Sequence, residues 1–166
     1  MKLKKVGYLF DTQETNNISF RKDHFGEYKL YDKNELIMYE TDDVLNLYNN
    51  SIKDIDIKGD ILILGLGFGL IPYNFNELDG VKHITVIENN IGVINFVKPI
   101  MPWIEFIHID AFEFETDRLW DTIFMDIFHK KTENYENDQL RLISKYSKMV
   151  NNNLSYLKIH NIKFDI

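Results

Sequence analysis

Apolar and polar residues follow two different rhythms along the chain. Up to about residue 54 the apolar positions come in short pieces separated by turn-forming residues. Val6 to Phe10, Ile18 to Arg21 and Tyr28 to Tyr31 have the composition of short strands and predict a small antiparallel sheet. Asp11 to Asn17 and Lys22 to Gly26 carry the Asp, Asn, Thr and Gly content of turns. Thr41 is placed to cap a helix over Asp42 to Asn50, with Val44, Leu45, Leu47 and Tyr48 as its apolar positions.

From Asp60 the rhythm changes to strand, helix, strand. Ile61-Leu62-Ile63-Leu64 is a continuous apolar run, as expected of a parallel strand covered on both faces. Gly65-Leu66-Gly67-Phe68-Gly69 follows, then a short helix to about Leu78. Ile84 to Ile87 reads as a second strand ending in Glu88-Asn89-Asn90, and Ile91 to Val97 as a helix that stops before Pro99. Ile104 to Ile109 is a third strand ending in Asp110, and Trp120 to Met125 a fourth ending in Asp126. A long amphipathic helix is predicted over Asn134 to Asn152, with Leu140, Ile143, Tyr146 and Val150 on its apolar face. Asn151-Asn152-Asn153 then serve as helix cap and turn before a fifth strand, Leu154 to Ile159. The chain has no internal repeat. The expected division is a β-rich segment over residues 1–54 and a Rossmann-like α/β unit over 55–166, its parallel sheet flanked by helices.

Composition narrows the classes. Hydrophobic residues make up 45% and charged residues 27%, enough to bury an ordinary core. The net charge of -7, with no long basic run, argues against a broad grip on nucleic-acid phosphates. With no cysteine, disulfides, thiolate metal sites and cysteine nucleophiles are excluded. Lys2, Lys4 and Lys5 are not followed by the apolar stretch of a signal peptide and read as a solvated terminus. The apolar stretch Ile61 to Ile71 is too short for a membrane span and is broken by glycines. A cytoplasmic protein without a membrane partner is expected.

Candidate chemistry collects at the predicted strand ends, where open parallel sheets bind ligands. Gly65, Gly67 and Gly69 stand at the first strand-to-helix turn, which suits close approach of a ligand and positive φ; a plain apolar turn is the alternative. Glu88 ends the second strand, where a carboxylate can accept from both hydroxyls of a ribose, with Asn89 beside it; a solvated loop acid is the alternative. Asp110 can accept from an adenine amino group while Ala111 and Phe112 cover the ring, or can cap the turn that follows. Asp126 can orient or deprotonate an acceptor, or merely cap a loop amide. His129 is either a general base near neutrality or a solvated loop residue. Tyr39, Phe68, Tyr73 and Phe112 are the aromatics placed to cover an adenine or methionyl group.

These residues resemble a known family. Asp60 to Gly69, Ile84 to Glu88, Ile109-Asp110-Ala111-Phe112-Glu113-Phe114 and Trp120 to Asp126 are similar to class I S-adenosylmethionine-dependent methyltransferases, and within them to spermidine-synthase-like proteins. The resemblance covers roughly residues 30–130. It implies S-adenosylmethionine or its decarboxylated form as cofactor, a small-molecule substrate, and transfer of a methyl or aminopropyl group. By the same resemblance Gly65, Gly67 and Gly69 line the methionyl end, Glu88 the ribose, Asp110 the adenine and Asp126 the reaction centre.

Three positions depart from the synthase pattern. Phe68 stands where the glycine loop usually carries an acid, His129 where a second acid helps hold the amine, and Tyr39 where a glutamine contacts the cofactor. Two rival expectations remain open: cleavage of the sulfonium without an acceptor, or a non-catalytic binding protein that keeps the fold. The sheet predicted here is shorter than that of a full methyltransferase, and the alternating tail Asn161 to Ile166 is suited to an edge strand. A homo-oligomer that covers this edge is therefore expected.

Overall fold

The computed structural model describes residues 2–10, 13–14, 17–127 and 134–156. In chain order the elements begin with β1 (Gln13–Glu14), β2 (Ile18–Lys22), β3 (Tyr28–Asp32), β4 (Glu35–Glu40) and α1 (Asp42–Ile52). They continue with β5 (Gly59–Leu64), α2 (Leu70–Asn76), β6 (Val81–Glu88), α3 (Ile91–Val97) and β7 (Glu105–His108). The last are β8 (Trp120–Met125), α4 (Tyr135–Tyr146) and β9 (Val150–Tyr156).

Five strands form a parallel sheet in the order β7-β6-β5-β8-β9. The chain winds outward from β5 through β6 to β7, then crosses back to β8 on the other side of β5. The strand order therefore reverses between β5 and β8, and the crevice above that pair is the switch point where such sheets take their ligands. The apolar run of β5 feeds two cores. Ile61 and Ile63 face α1, α2, α3 and the amino-terminal sheet, while Leu62 and Leu64 face α4 with Trp120, Leu142 and Tyr146. Period-two alternation sends successive side chains to opposite faces, so a strand with helices on both sides is apolar throughout.

The amino-terminal strands form an antiparallel sheet, β1-β2-β3-β4. Its Ile18, Phe20 and Leu30, with Phe10 from the segment before it, are buried in the same core as α1, α2 and α3. The β3–β4 hairpin turns on Lys33 and Asn34, both with positive φ, at 48° and 71°. That geometry matches strand twist but is signalled most strongly by Asn-Gly, which is why β4 was not legible as a strand.

Three expected elements are corrected. Val6 to Phe10 is not a strand; Gly7–Leu9 is a turn of 3-10 helix. Its amides are claimed by the buried Glu40, which accepts Val6 N at 2.6 Å and Gly7 N at 3.2 Å, so no ladder partner is needed. The long helix covers only Tyr135–Tyr146, and Leu142 and Tyr146 are buried while Leu140 is exposed. Asn151-Asn152-Asn153 lie within β9 and not in a turn, because the β8 ladder, which pairs Trp120 with Val150 and Thr122 with Asn153, outweighs the weak strand propensity of asparagine. The expected strand over Leu154 to Ile159 thus begins earlier, and its last three residues and the Asn161 to Ile166 tail lie outside the described residues.

Candidate functional site

The ends of β5, β6 and β8 are drawn together by backbone hydrogen bonds that run one step past the strands. Asp126 N donates to Leu64 O at 2.7 Å, and Gly65 N donates to Ile87 O at 2.8 Å. This places Gly65, Glu88 and Asp126 around the switch point. Gly65, Gly67 and Gly69 all take positive φ, at 92°, 53° and 86°. A Cβ would overlap the Asp126 carbonyl at Gly65, the Met38 sulfur at Gly67 and the Met101 sulfur at Gly69. The need for glycine therefore comes from backbone conformation and protein neighbours alike.

Glu88 reaches back over this loop. Its Oε2 accepts Leu66 N at 3.0 Å and its Oε1 accepts Asn90 N at 2.8 Å. Burial pushes its carboxyl above the usual carboxylate range, and the amides of Asn90, Leu66 and Asn89, with the His108 charge, pull against that. A carboxylate has about four lone-pair positions, so ribose hydroxyls can still be accepted. Asn89 is exposed, and its carbonyl accepts from His108 Nε2 at 3.1 Å. Asn90 caps α3 by accepting Gly92 N and donates to Asp32 of β3 at 2.8 Å, which seats the amino-terminal sheet against this edge.

Asp110 lies beyond β7. Its Oδ1 accepts Phe112 N at 2.7 Å, the capping geometry weighed above. Ala111 is buried, and its carbonyl accepts from Tyr146 Oη at 2.8 Å. Phe112 lies under the Arg141 guanidinium, 5.0 Å from the ring centroid.

Asp126 is held from a direction the sequence did not announce. Tyr48 Oη on α1 donates to its two carboxylate oxygens, at 2.8 and 2.7 Å. Burial raises the Asp126 carboxyl to about 7; the Tyr48 hydrogen bond opposes that rise and the nearby Glu88 charge adds to it. Burial raises the Tyr48 hydroxyl as well, helped by the Asp126 charge. By its spacing Tyr48 is an apolar position of a helix, which its ring indeed is, packed near Phe124. Met38 was also missed. No local pattern marks either, because both reach the site through the folding of the amino-terminal segment onto the sheet.

One aromatic is not placed as expected. Phe68 is fully buried and meets Phe10 and Phe20 edge-on, so it is core and covers no ligand. Tyr73 hydrogen-bonds Tyr8. Tyr39 lies close enough to Tyr48 to affect its hydroxyl electrostatically. His129 lies outside the described residues. No group of three or more potential metal ligands occurs among the described residues, and no helix among them is long and apolar enough to cross a membrane.

No protein-family model matches the chain, and no curated protein matches it by sequence. Solved structures do match in shape. A DhpI–SAM–HEP complex aligns over 74% of this chain and 56% of its own, with TM-score 0.57 and 18% identity. A DhpI–SAH complex aligns over 66% and 52%, with TM-score 0.52 and 20% identity. The chain thus spans about half the length of these structures. What they share with it is the Rossmann-like methyltransferase fold.

Proposed function

We propose that the chain binds S-adenosylmethionine at the carboxyl ends of β5, β6 and β8 and transfers a group from it to a small molecule. The observation that carries this reading is the constellation around the switch point. A three-glycine turn is tied by its Leu66 amide to the Glu88 carboxylate and faces a second carboxylate, Asp126, across β5. The crystallised fold neighbours, whose names record SAM and SAH, support the same ligand. In this reading Glu88 accepts the ribose hydroxyls, Asp110 the adenine amino group, and Asn89 and Ala111 border the adenosyl moiety.

S-adenosylmethionine would supply an activated methyl group. The chain's own part is to position and to move a proton. Asp126, held by Tyr48, takes the proton from an acceptor amine, which near neutrality suits a carboxyl lifted to about 7. Methyl transfer fits better than aminopropyl transfer. A dicationic polyamine needs paired carboxylates to compensate each desolvated ammonium, and residue 129 is His where the second acid would stand.

Incubation of the purified protein with S-adenosylmethionine and a panel of small amines, with mass spectrometry of all adenosyl products, tests this. S-adenosylhomocysteine and a methylated amine are expected. Methylthioadenosine without an acceptor product would point to sulfonium cleavage instead. We further propose a homo-oligomer, since β9 pairs only with β8 among the described strands. Sedimentation equilibrium should give a multiple of 19.8 kDa.

A further inference from the structure

We propose that the Asp126–Tyr48 pair distinguishes a charged sulfonium ligand from its neutral thioether product, holding the first and releasing the second. This rests on the adenosyl reading of the site.

The site is built for a cation. Glu88 and Asp126 stand at the ends of β6 and β8, the two strands that flank β5, close enough to influence each other. Glu88 is compensated by the backbone amides of Asn90, Leu66 and Asn89 and by the nearby His108. Asp126 is compensated by one neutral tyrosine hydroxyl, and no cationic side chain contacts it among the described residues. Among the described residues, the groups that face the pair are Tyr39 on β4 and Glu88 on β6, one neutral and one acidic; His108 acts on Glu88 from its far side in the sheet order, on β7. A carboxylate so desolvated favours a ligand that brings its own positive charge. S-adenosylmethionine carries that charge on sulfur. Once the methyl group has left, S-adenosylhomocysteine has a neutral sulfur, and the attraction is gone.

Tyr48 acts here as a positioning residue. Its hydroxyl fixes the carboxylate plane and keeps Asp126 ionised at a lower pH than burial alone would allow. Binding of the cation should in turn expel any proton left on Asp126, so the preference for the charged ligand must depend on pH.

Calorimetric titration of the intact protein with each of the two ligands, from about pH 5.5 to about pH 8.5, reads this directly. Wild-type affinity for S-adenosylmethionine relative to S-adenosylhomocysteine should rise about tenfold through a midpoint near neutrality, the size of a one-unit coupled shift. Asp126→Asn keeps an acceptor for Tyr48 and should give a flat ratio once the titration of the ligands' own amines, measured separately on the free ligands, has been subtracted from every series. Tyr48→Phe keeps the ring and should move the midpoint upward, which a purely structural tyrosine would not do. A ratio that does not vary with pH in the wild type overturns the proposal. So does a pH dependence that survives in Asp126→Asn, which would assign it to another group such as Glu88. If neither ligand binds at any pH, the adenosyl reading itself falls, and the proposal with it.

Discussion

Glu88 Oε2 accepts the backbone N–H of Leu66 at 3.0 Å, so the end of β6 holds the glycine loop that follows β5. One carboxylate thereby fixes the loop and, in the proposed reading, also accepts the ribose hydroxyls.

Replacing Glu88 separates these two jobs. Glu88→Ala leaves the Leu66 and Asn90 amides without their acceptor and should lower stability. It should also weaken adenosyl-ligand binding by about 1–3 kcal/mol, the scale of a lost charge-assisted hydrogen bond. Glu88→Gln retains one carbonyl acceptor and should recover part of the stability. Thermal unfolding and calorimetry with S-adenosylhomocysteine measure both; unchanged affinity in a folded Glu88→Ala protein would remove the ribose assignment.

Gly67 has φ of 53° and Met38 packed against the space its Cβ would fill. Gly67→Ala should destabilise the chain by about 1–3 kcal/mol through strain and overpacking. Met38→Ala added to it should relieve the collision but not the backbone strain, so rescue is expected to be partial. Gly67→Val should abolish ligand binding. Full rescue by Met38→Ala would show that conformation matters little at this glycine.

Asp126 makes stability depend on pH in a definite direction. Its carboxyl titrates at about 7 in the folded protein against a reference value of 3.8. Between these values the folded protein binds more protons than the unfolded chain. Stability is therefore fully present below about pH 4 and is lost as pH rises toward about 7, above which this contribution levels off. Asp126→Asn should remove that slope and leave the protein more stable than wild type at about pH 8, by about 1–3 kcal/mol. Denaturant titrations across this range check it; a variant less stable than wild type at the alkaline end would contradict it.

Glu40 is buried and accepts the amides of Val6 and Gly7. Burial lifts its carboxyl, while those two amides hold it down. Glu40→Ala should cost about 2 kcal/mol or more by orphaning the amides, and should loosen residues 3–10 first. Hydrogen exchange by mass spectrometry would show protection lost there before the parallel sheet.

Local pattern was enough to determine the five parallel strands, the glycine turn and the acids at the strand ends. A strand buried on both faces is apolar throughout, and a turn at positive φ that also lacks room for a Cβ takes glycine, so both leave marks within a few residues. The cap at Thr41 and the bounds of α3 were legible for the same reason: capping and helix-ending chemistry act between near neighbours. Tertiary structure alone decided the rest. Val6 to Phe10 became a 3-10 turn because Glu40, distant in sequence, took its amides. Asn151 to Asn153 became strand because the β8 ladder outweighed their propensity. Tyr48 became Asp126's hydrogen-bond donor and Met38 the neighbour of Gly67 because the amino-terminal segment folds onto the carboxyl edge of the sheet. Contacts between residues far apart in the chain leave no periodicity to read; only the folded backbone brings them within reach.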